Sequence, residues 1–383
     1  MTRGQGMTRP TLAEARRWVI KIGSSLVTNQ GLGLDHERIA GWAAQIDELL
    51  RQGREVVLVS SGAVAEGRAR LGQAARPSEL SALQATAAVG QMGLIHAYET
   101  AFRVHARQTA QVLLTHDDVR DRGRYLNARQ ALLRLLSWQV LPVVNENDTV
   151  ATDEIRLGDN DTLAAMVCNL IDADALMILT DQDGLHTADP RRDPEARRID
   201  AIGVTDESLD AMAGEGRGDL GRGGMKTKVL AARWAARSGS QTVIAGGLVD
   251  GVIGRVAAGE ALGTVLRPDA DPLAARKRWL AGPQSPGGSL SIDAGAARAL
   301  LRGGNSLLPV GVTAVNGQFR RGDVVSCLDP RGRELARGIC NYDDAQSRRL
   351  LGLPSSEIAR VLGDAAAQPE LIHCDNLVVL VAD

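Results

Sequence analysis

Lysine is scarce in this chain of 383 residues. Of its 44 basic side chains only Lys21, Lys226, Lys228 and Lys277 are lysine, and the remaining forty are arginine. A position that keeps lysine against such a bias is one where a compact ammonium is wanted and a wide planar guanidinium is not. Aromatic residues are also few, ten in all, so the core must be built mainly of Val, Ile, Leu and Ala. The four cysteines, Cys168, Cys327, Cys340 and Cys374, form no C-x-x-C pair. That spacing suits neither a zinc site nor a disulfide framework and reads as reduced thiols. No charge sign dominates, the formal net charge being −2, so nothing drives the whole chain toward nucleic acid or membrane. No apolar run reaches the roughly 18 residues that a membrane span needs. The segment Met1 to Pro10 is polar and lacks the apolar core of an export signal, and a cytoplasmic location is expected. The phosphate-binding pattern G-x-x-x-x-G-K-[ST] is absent, so any phosphoryl transfer proceeds without a P-loop.

What is present is an alternation. Trp18 to Val27, Glu55 to Ser60, Gln111 to Thr115, Val140 to Val144, Ala175 to Thr180 and Thr242 to Ala245 read as strands. Helical spacing occupies Asp35 to Gln52, Ser78 to about Ala106, Arg124 to Trp138 and Asp161 to Ile171. Continuous apolar strands separated by helices predict a mostly parallel sheet covered on both faces, a three-layer α/β/α domain over residues 1–270. Ligands bind such sheets at the carboxyl ends of the strands. Residues 271–288 hold three prolines and a glycine pair and read as a linker. Residues 289–383 have the texture of a small β-rich domain, with turns at Asn316-Gly317, Arg321-Gly322-Asp323 and Pro330-Arg331-Gly332. Twelve basic and six acidic side chains fall within residues 276–349, a local excess of six positive charges.

The polar motifs sit just after the strands. Lys21 precedes the Gly23-Ser24-Ser25 turn, a combination that can hold phosphate oxygens through backbone N–H groups and one full charge. Ser60-Ser61-Gly62 follows the second strand and lets a ligand approach the backbone, or else simply caps a helix. Asn145-Glu146-Asn147-Asp148 and Gly158-Asp159-Asn160-Asp161 together hold three Asn and four acidic residues. Such groups can bind the ammonium and carboxylate of an amino acid, and the hairpin-like Thr149 to Leu157 between them could serve as a lid. Thr180-Asp181 follows the next strand. A glycine-rich loop, residues 216–228, ends in Gly223-Gly224-Met225-Lys226-Thr227-Lys228 at the start of a helix, which suits a nucleotide phosphate. Gly216-x-Gly218-x-x-Gly221 formally matches a dinucleotide fingerprint but follows no strand and is set aside. The six histidines lack ligand spacing and read as satisfied or solvated.

Taken in order, VIKIGSSLVT (19–28), VLVSSGAVAEG (57–67), Tyr125 to Arg129, VVNENDTVAT (143–152), GDNDTLAA (158–165), LTDQDGLHTADPR (179–191) and residues 220–228 resemble the amino acid kinase family. The C-terminal part resembles a PUA domain, usually an RNA-binding module, through Ala294 to Leu301, Ser306 to Gly311 and Arg320 to Asp323. The resemblance implies ATP-dependent phosphorylation of the side-chain carboxylate of L-glutamate, with Mg²⁺, as the first step of proline biosynthesis. It assigns Lys21 and Lys228 to the charge on the transferring phosphoryl group and Asp161 to orienting them. It assigns Ser61, Asn145, Asp148 and Asn160 to glutamate. Lys21, Gly23, Ser24, Thr180, Asp181 and Gly223 to Lys228 fall to ATP. Arg222 and Lys226 stand where the family commonly has small hydroxyl residues, which makes that loop more basic. The resemblance also implies a dimer or tetramer, feedback by proline and channelling of product to glutamyl phosphate reductase. Two other readings compete: a different acceptor within the family, and an RNA-binding or regulatory role for the basic C-terminal domain, whose clearest stacking candidates are Phe319 and Tyr342.

Overall fold

The computed structural model describes residues 11–29, 33–151, 160–190, 193–214, 224–268, 286–363 and 368–380. The chain divides into two compact units, residues 1–119 with 128–270, and residues 120–127 with 271–383. Each is described by itself.

The larger unit is built on β1 (Arg17–Ile22), β2 (Glu55–Ser60), β3 (Thr109–Leu114), β4 (Leu141–Glu146), β5 (Ala175–Thr180), β6 (Ala201–Gly203), β7 (Gln241–Gly246) and β8 (Thr264–Arg267). Among the described residues these form one sheet in the order β3-β4-β2-β1-β5-β7-β8-β6. Every neighbouring pair is parallel except β7 with β8. The carboxyl ends of β4, β2, β1 and β5 therefore lie side by side along one edge of the sheet.

The helices are α1 (Ser24–Val27), α2 (His36–Arg51), α3 (Ala63–Arg70), α4 (Leu80–Arg103), α5 (His116–Arg120), α6 (Arg122–Ser137), α7 (Asn160–Ile171), α8 (Ser208–Met212), α9 (Met225–Ala235) and α10 (Val252–Ala257). The pleat decides which face each strand residue serves. Trp18, Ile20 and Ile22 of β1, Val56 and Leu58 of β2, and Met177 and Leu179 of β5 join one core with α2, α4 and α10. The alternate residues, Val19 and Lys21 among them, point to the other face, where α7 and α9 pack against each other. Lys21 pairs with Val59 on β2 and Ile178 on β5, so this lysine stands among apolar neighbours at the centre of the sheet. The expected strand Trp18 to Val27 ends earlier, at Ile22. Gly23 then caps the short helix α1, accepting from the N–H groups of Leu26 and Val27.

Helices α3 and α4 touch unusually closely. A Cβ added at Gly67 would stand 1.8 Å from the Thr86 carbonyl oxygen, and one at Gly90 would stand 1.8 Å from that of Ala63. No side chain larger than hydrogen fits at either crossing. The approach holds α4 against the turn Ser61-Gly62, where Gly62 takes a φ of 112° that glycine adopts without strain.

The smaller unit carries β9 (Gly288–Ile292), α11 (Ala294–Leu301), β10 (Val312–Gly317), β11 (Val324–Leu328), β12 (Glu334–Ile339), α12 (Asp344–Arg349), α13 (Ile358–Leu362) and β13 (Leu377–Val379). Its strands run β10-β9-β11-β12-β13, antiparallel except for β9 with β11. The turn glycines Gly317, Gly322 and Gly332 all have positive φ, as the sequence pattern requires. Phe319 and Tyr342 correct an expectation: both are buried in this unit's core with Leu290, Ile292 and Leu300. With so few aromatics available, the core has claimed the rings that base stacking would have needed. The linker positions 271–285, Lys277 included, lie outside the described residues, as do residues 152–157 of the expected lid.

Candidate active site

Three strand ends and two helix starts converge. Asp161, in the first turn of α7, is fully buried and lies between two lysines. Lys21 Nζ is 2.5 Å from its Oδ1 and Lys228 Nζ is 3.0 Å from its Oδ2. Both lysines are only 5% exposed. Burial alone would raise the Asp161 carboxyl, but the two ammoniums outweigh it and hold the group well below the ordinary carboxylate range. Thr227 Oγ1 donates to the same Oδ2 at 2.9 Å. One negative charge thus aligns two positive ones, and the trio retains a net positive charge in a water-poor setting. Such a site can stabilise negative charge that builds up on a transferring group.

Beside it runs a chain of amides. Asn160 Nδ2 donates to the Ser60 carbonyl at 2.6 Å and to Asn145 Oδ1 at 2.7 Å. Asn145 Nδ2 donates in turn to Gln91 Oε1 at 2.6 Å. Ser60 Oγ is fixed by Tyr98 OH at 2.9 Å. Two buried polar atoms here make no hydrogen bond, Ser61 Oγ and Gln91 Nε2, whereas Glu146 Oε1 faces His116 Nδ1 at 3.6 Å. Native interiors rarely leave such atoms unpaired, and a cluster of them marks places for ligand atoms. Asp148 is half-buried just beyond β4. Burial, then the charge of Glu146, pushes its carboxyl up to about 7, against the opposing pull of Arg76.

Of the residues singled out from the sequence, Lys21, Lys228, Asp161, Asn145, Asn160 and Ser61 gather at this edge. Gly23 and Ser24 lie at the end of β1, the Gly23 N–H donating to the Leu179 carbonyl of β5 at 3.3 Å. Thr180 ends β5 and bonds Asp181 Oδ1 at 3.0 Å. Gly224 is the N-cap of α9, and Met225 packs into a minor core with Leu209 and Val229. Lys226 is exposed. Gly223 and Arg222 lie outside the described residues. Sequence reasoning missed Gln91, which sits in a largely apolar helix far from every polar motif. It also passed over Glu146, although that residue stands inside the NEND run.

The sequence profile of the amino acid kinase family matches residues 16–246, and that of the PUA domain matches residues 288–362. The chain belongs to the amino acid kinase family and carries a PUA domain. Glutamate 5-kinase of Nitrosospira multiformis is 58% identical over 369 residues, covering 96% of this chain and 99% of that protein. Glutamate 5-kinase of Ectopseudomonas mendocina is 55% identical over 372 residues, covering 97% and 100%. Among solved structures, UMP kinase from Bacillus anthracis superposes with a TM-score of 0.48 at 15% identity, covering 67% of this chain and 97% of that one.

Proposed function

We propose that this chain transfers the γ-phosphoryl group of ATP to the side-chain carboxylate of L-glutamate, giving L-glutamyl 5-phosphate and ADP, the entry to proline biosynthesis. The observation that carries this reading is the pairing of Lys21 and Lys228 on Asp161 directly beside the Asn160–Asn145–Gln91 amide chain. The names of the near full-length relatives support the same acceptor.

The residue types suit the chemistry. The nucleophile is a carboxylate, already ionised at neutral pH, so no general base is required. One carboxylate oxygen attacks phosphorus as the bond to the β-phosphate oxygen breaks. Positioning and charge stabilisation then do most of the catalysis. Lys21 and Lys228 neutralise charge on the transferring group, and Asp161 keeps the two ammoniums in place. Gly23, Ser24, Thr180, Asp181 and the start of α9, Gly224 to Lys228, hold the nucleotide, with N–H groups at the helix start facing phosphate. Ser61, Asn145, Asp148 and Asn160 hold glutamate, Asp148 accepting from its ammonium. Among the described residues no cluster of three His, Cys, Asp or Glu side chains forms a resident metal site. Mg²⁺ would accompany the nucleotide, held largely by phosphate oxygens and water.

The test is ATP-dependent formation of glutamyl hydroxamate from glutamate and hydroxylamine, against a panel with aspartate, N-acetylglutamate and nucleoside monophosphates. Turnover with another acceptor and none with glutamate would overturn the reading. A homo-oligomer and channelling to glutamyl phosphate reductase belong to the same proposal. So does a cytoplasmic location, with which the absence of a disulfide among Cys168, Cys327, Cys340 and Cys374 agrees. RNA binding by the PUA domain rests on its basic excess alone, and a salt-sensitive gel shift with structured RNA decides it.

A further inference from the structure

Gln91 is 9% exposed and lies on α4, whose neighbouring Gly90 presses that helix onto the backbone of Ala63 just after Ser61-Gly62. Its side chain has two polar ends with opposite situations. Oε1 accepts from Asn145 Nδ2 at 2.6 Å, while Nε2 is buried and bonds nothing. Every amide in the chain that leads to it donates in a single direction, from Asn145 to Gln91, and Asn160 donates to Asn145. Such a row is polarised along its length, and it ends on an unused N–H₂ donor. The missing partner is therefore an acceptor, and in a site for an amino acid diacid the strong acceptors are carboxylates.

Which carboxylate follows from the layout. The reacting end lies at Lys21 on β1, next to Asp161. Asn145 is on β4, two strands away in the order β4-β2-β1, a distance of about 10 Å. Gln91 is one hydrogen bond further along, at the end of the site away from the two lysines. A five-carbon diacid whose side-chain carboxylate faces the lysines has its other carboxylate on this side.

On the reading given under Proposed function, we propose that Gln91 Nε2 donates to the α-carboxylate of L-glutamate and makes the site selective for acceptors that carry this group. The amide chain then has a role in recognition as well as in packing. It transmits the position of Asn160, next to Asp161, to the remote end of the substrate.

The test uses the full chain with Gln91→Met, which keeps the volume and removes the donor. Hydroxamate formation gives KM for glutamate and ATP. Two glutamate analogues are measured as competitive inhibitors: glutarate, which keeps both carboxylates and lacks the ammonium, and 4-aminobutyrate, which lacks the α-carboxylate. The expected result is a rise of about tenfold or more in KM for glutamate and in the inhibition constant of glutarate, the loss of one hydrogen bond to a charged group. The constant for 4-aminobutyrate and KM for ATP should stay within about twofold. Equal weakening of both analogues would mean that Gln91 only props Asn145, and would overturn the proposal, as would an unchanged KM for glutamate. Absence of glutamate turnover in the unaltered protein would instead remove the reading on which the proposal stands. Should Gln91→Met fail to fold, Gln91→Glu keeps the side-chain length and the acceptor for Asn145, and the same comparison of analogues decides.

Discussion

Lys21 and Lys228, 207 positions apart in sequence, share one buried carboxylate: Asp161 receives the first on Oδ1 at 2.5 Å and the second on Oδ2 at 3.0 Å. The two lysines come from a strand and a helix that meet only in the folded chain, and the carboxylate fixes their separation.

If the two ammoniums act on the phosphoryl group, Lys21→Met and Lys228→Met should each lower kcat by about 100-fold or more. The charge-conserving Lys21→Arg and Lys228→Arg should also impair turnover, because the planar fork cannot occupy the same buried place. Lys277→Arg should be silent. Steady-state hydroxamate kinetics check all five, with circular dichroism to confirm folding.

Replacing the shared carboxylate is a stability experiment as well. Asp161→Asn leaves two buried ammoniums facing each other, and the cost should be about 3–5 kcal/mol. The sign of the pH effect follows from its depressed carboxyl. Its contribution to stability is present above the unfolded carboxylate pKa and is lost as pH falls toward the lower folded value. Denaturant melts between neutral and acid pH should therefore show less acid sensitivity in Asp161→Asn than in the parent. Equal acid slopes in the two proteins would contradict the assignment.

Asp148 behaves in the opposite sense. Its carboxyl is pushed up to about 7 by burial and by Glu146. A group with a raised folded pKa contributes stability below its unfolded value and loses it as pH rises through the folded value. Glutamate's ammonium favours the ionised form. KM for glutamate should thus rise as pH falls below about 7, by up to about tenfold per unit, while KM for ATP stays flat. Asp148→Asn should bind glutamate weakly at every pH and remove the dependence.

The contact between α3 and α4 offers a prediction away from the charges. A methyl at Gly67 would meet the Thr86 carbonyl at 1.8 Å, and backbone must move to admit it. Gly67→Ala should cost about 1–3 kcal/mol or more. By displacing α4 it should raise KM for glutamate more than KM for ATP. Thermal melting and kinetics on the same preparation test both parts.

Much of the architecture was legible because it rests on local periodicity. Runs such as EVVLVS and ALMILT can only be buried strands at this length, and the polar residues that follow them had to fall along one edge of a parallel sheet. Lys226 and Lys228 differ by two positions on a helix, roughly 200° around its axis, so only one could face Asp161, but no local pattern says which. Gln91 was invisible for a related reason. An isolated glutamine in an apolar helix looks the same whether it ends in solvent, in the core or at a ligand. Phe319 and Tyr342 were the clearest stacking candidates of the small domain, and their place in its core is set by long-range packing that no local pattern displays.

The sequence by itself determined the alternation of strands and helices, the edge of the sheet that carries the chemistry, and the scarce lysines worth following. Those features depend on side-chain period and composition, which a linear chain displays directly. The family resemblance had already named Lys21, Lys228 and Asp161 together; only the tertiary structure decided the distances at which Asp161 holds the two lysines, that glycine backbones bring α4 against Ala63, and that an amide chain ends at Gln91. These are contacts between residues tens to hundreds of positions apart. Their geometry is fixed by how whole layers pack, and no single segment encodes it.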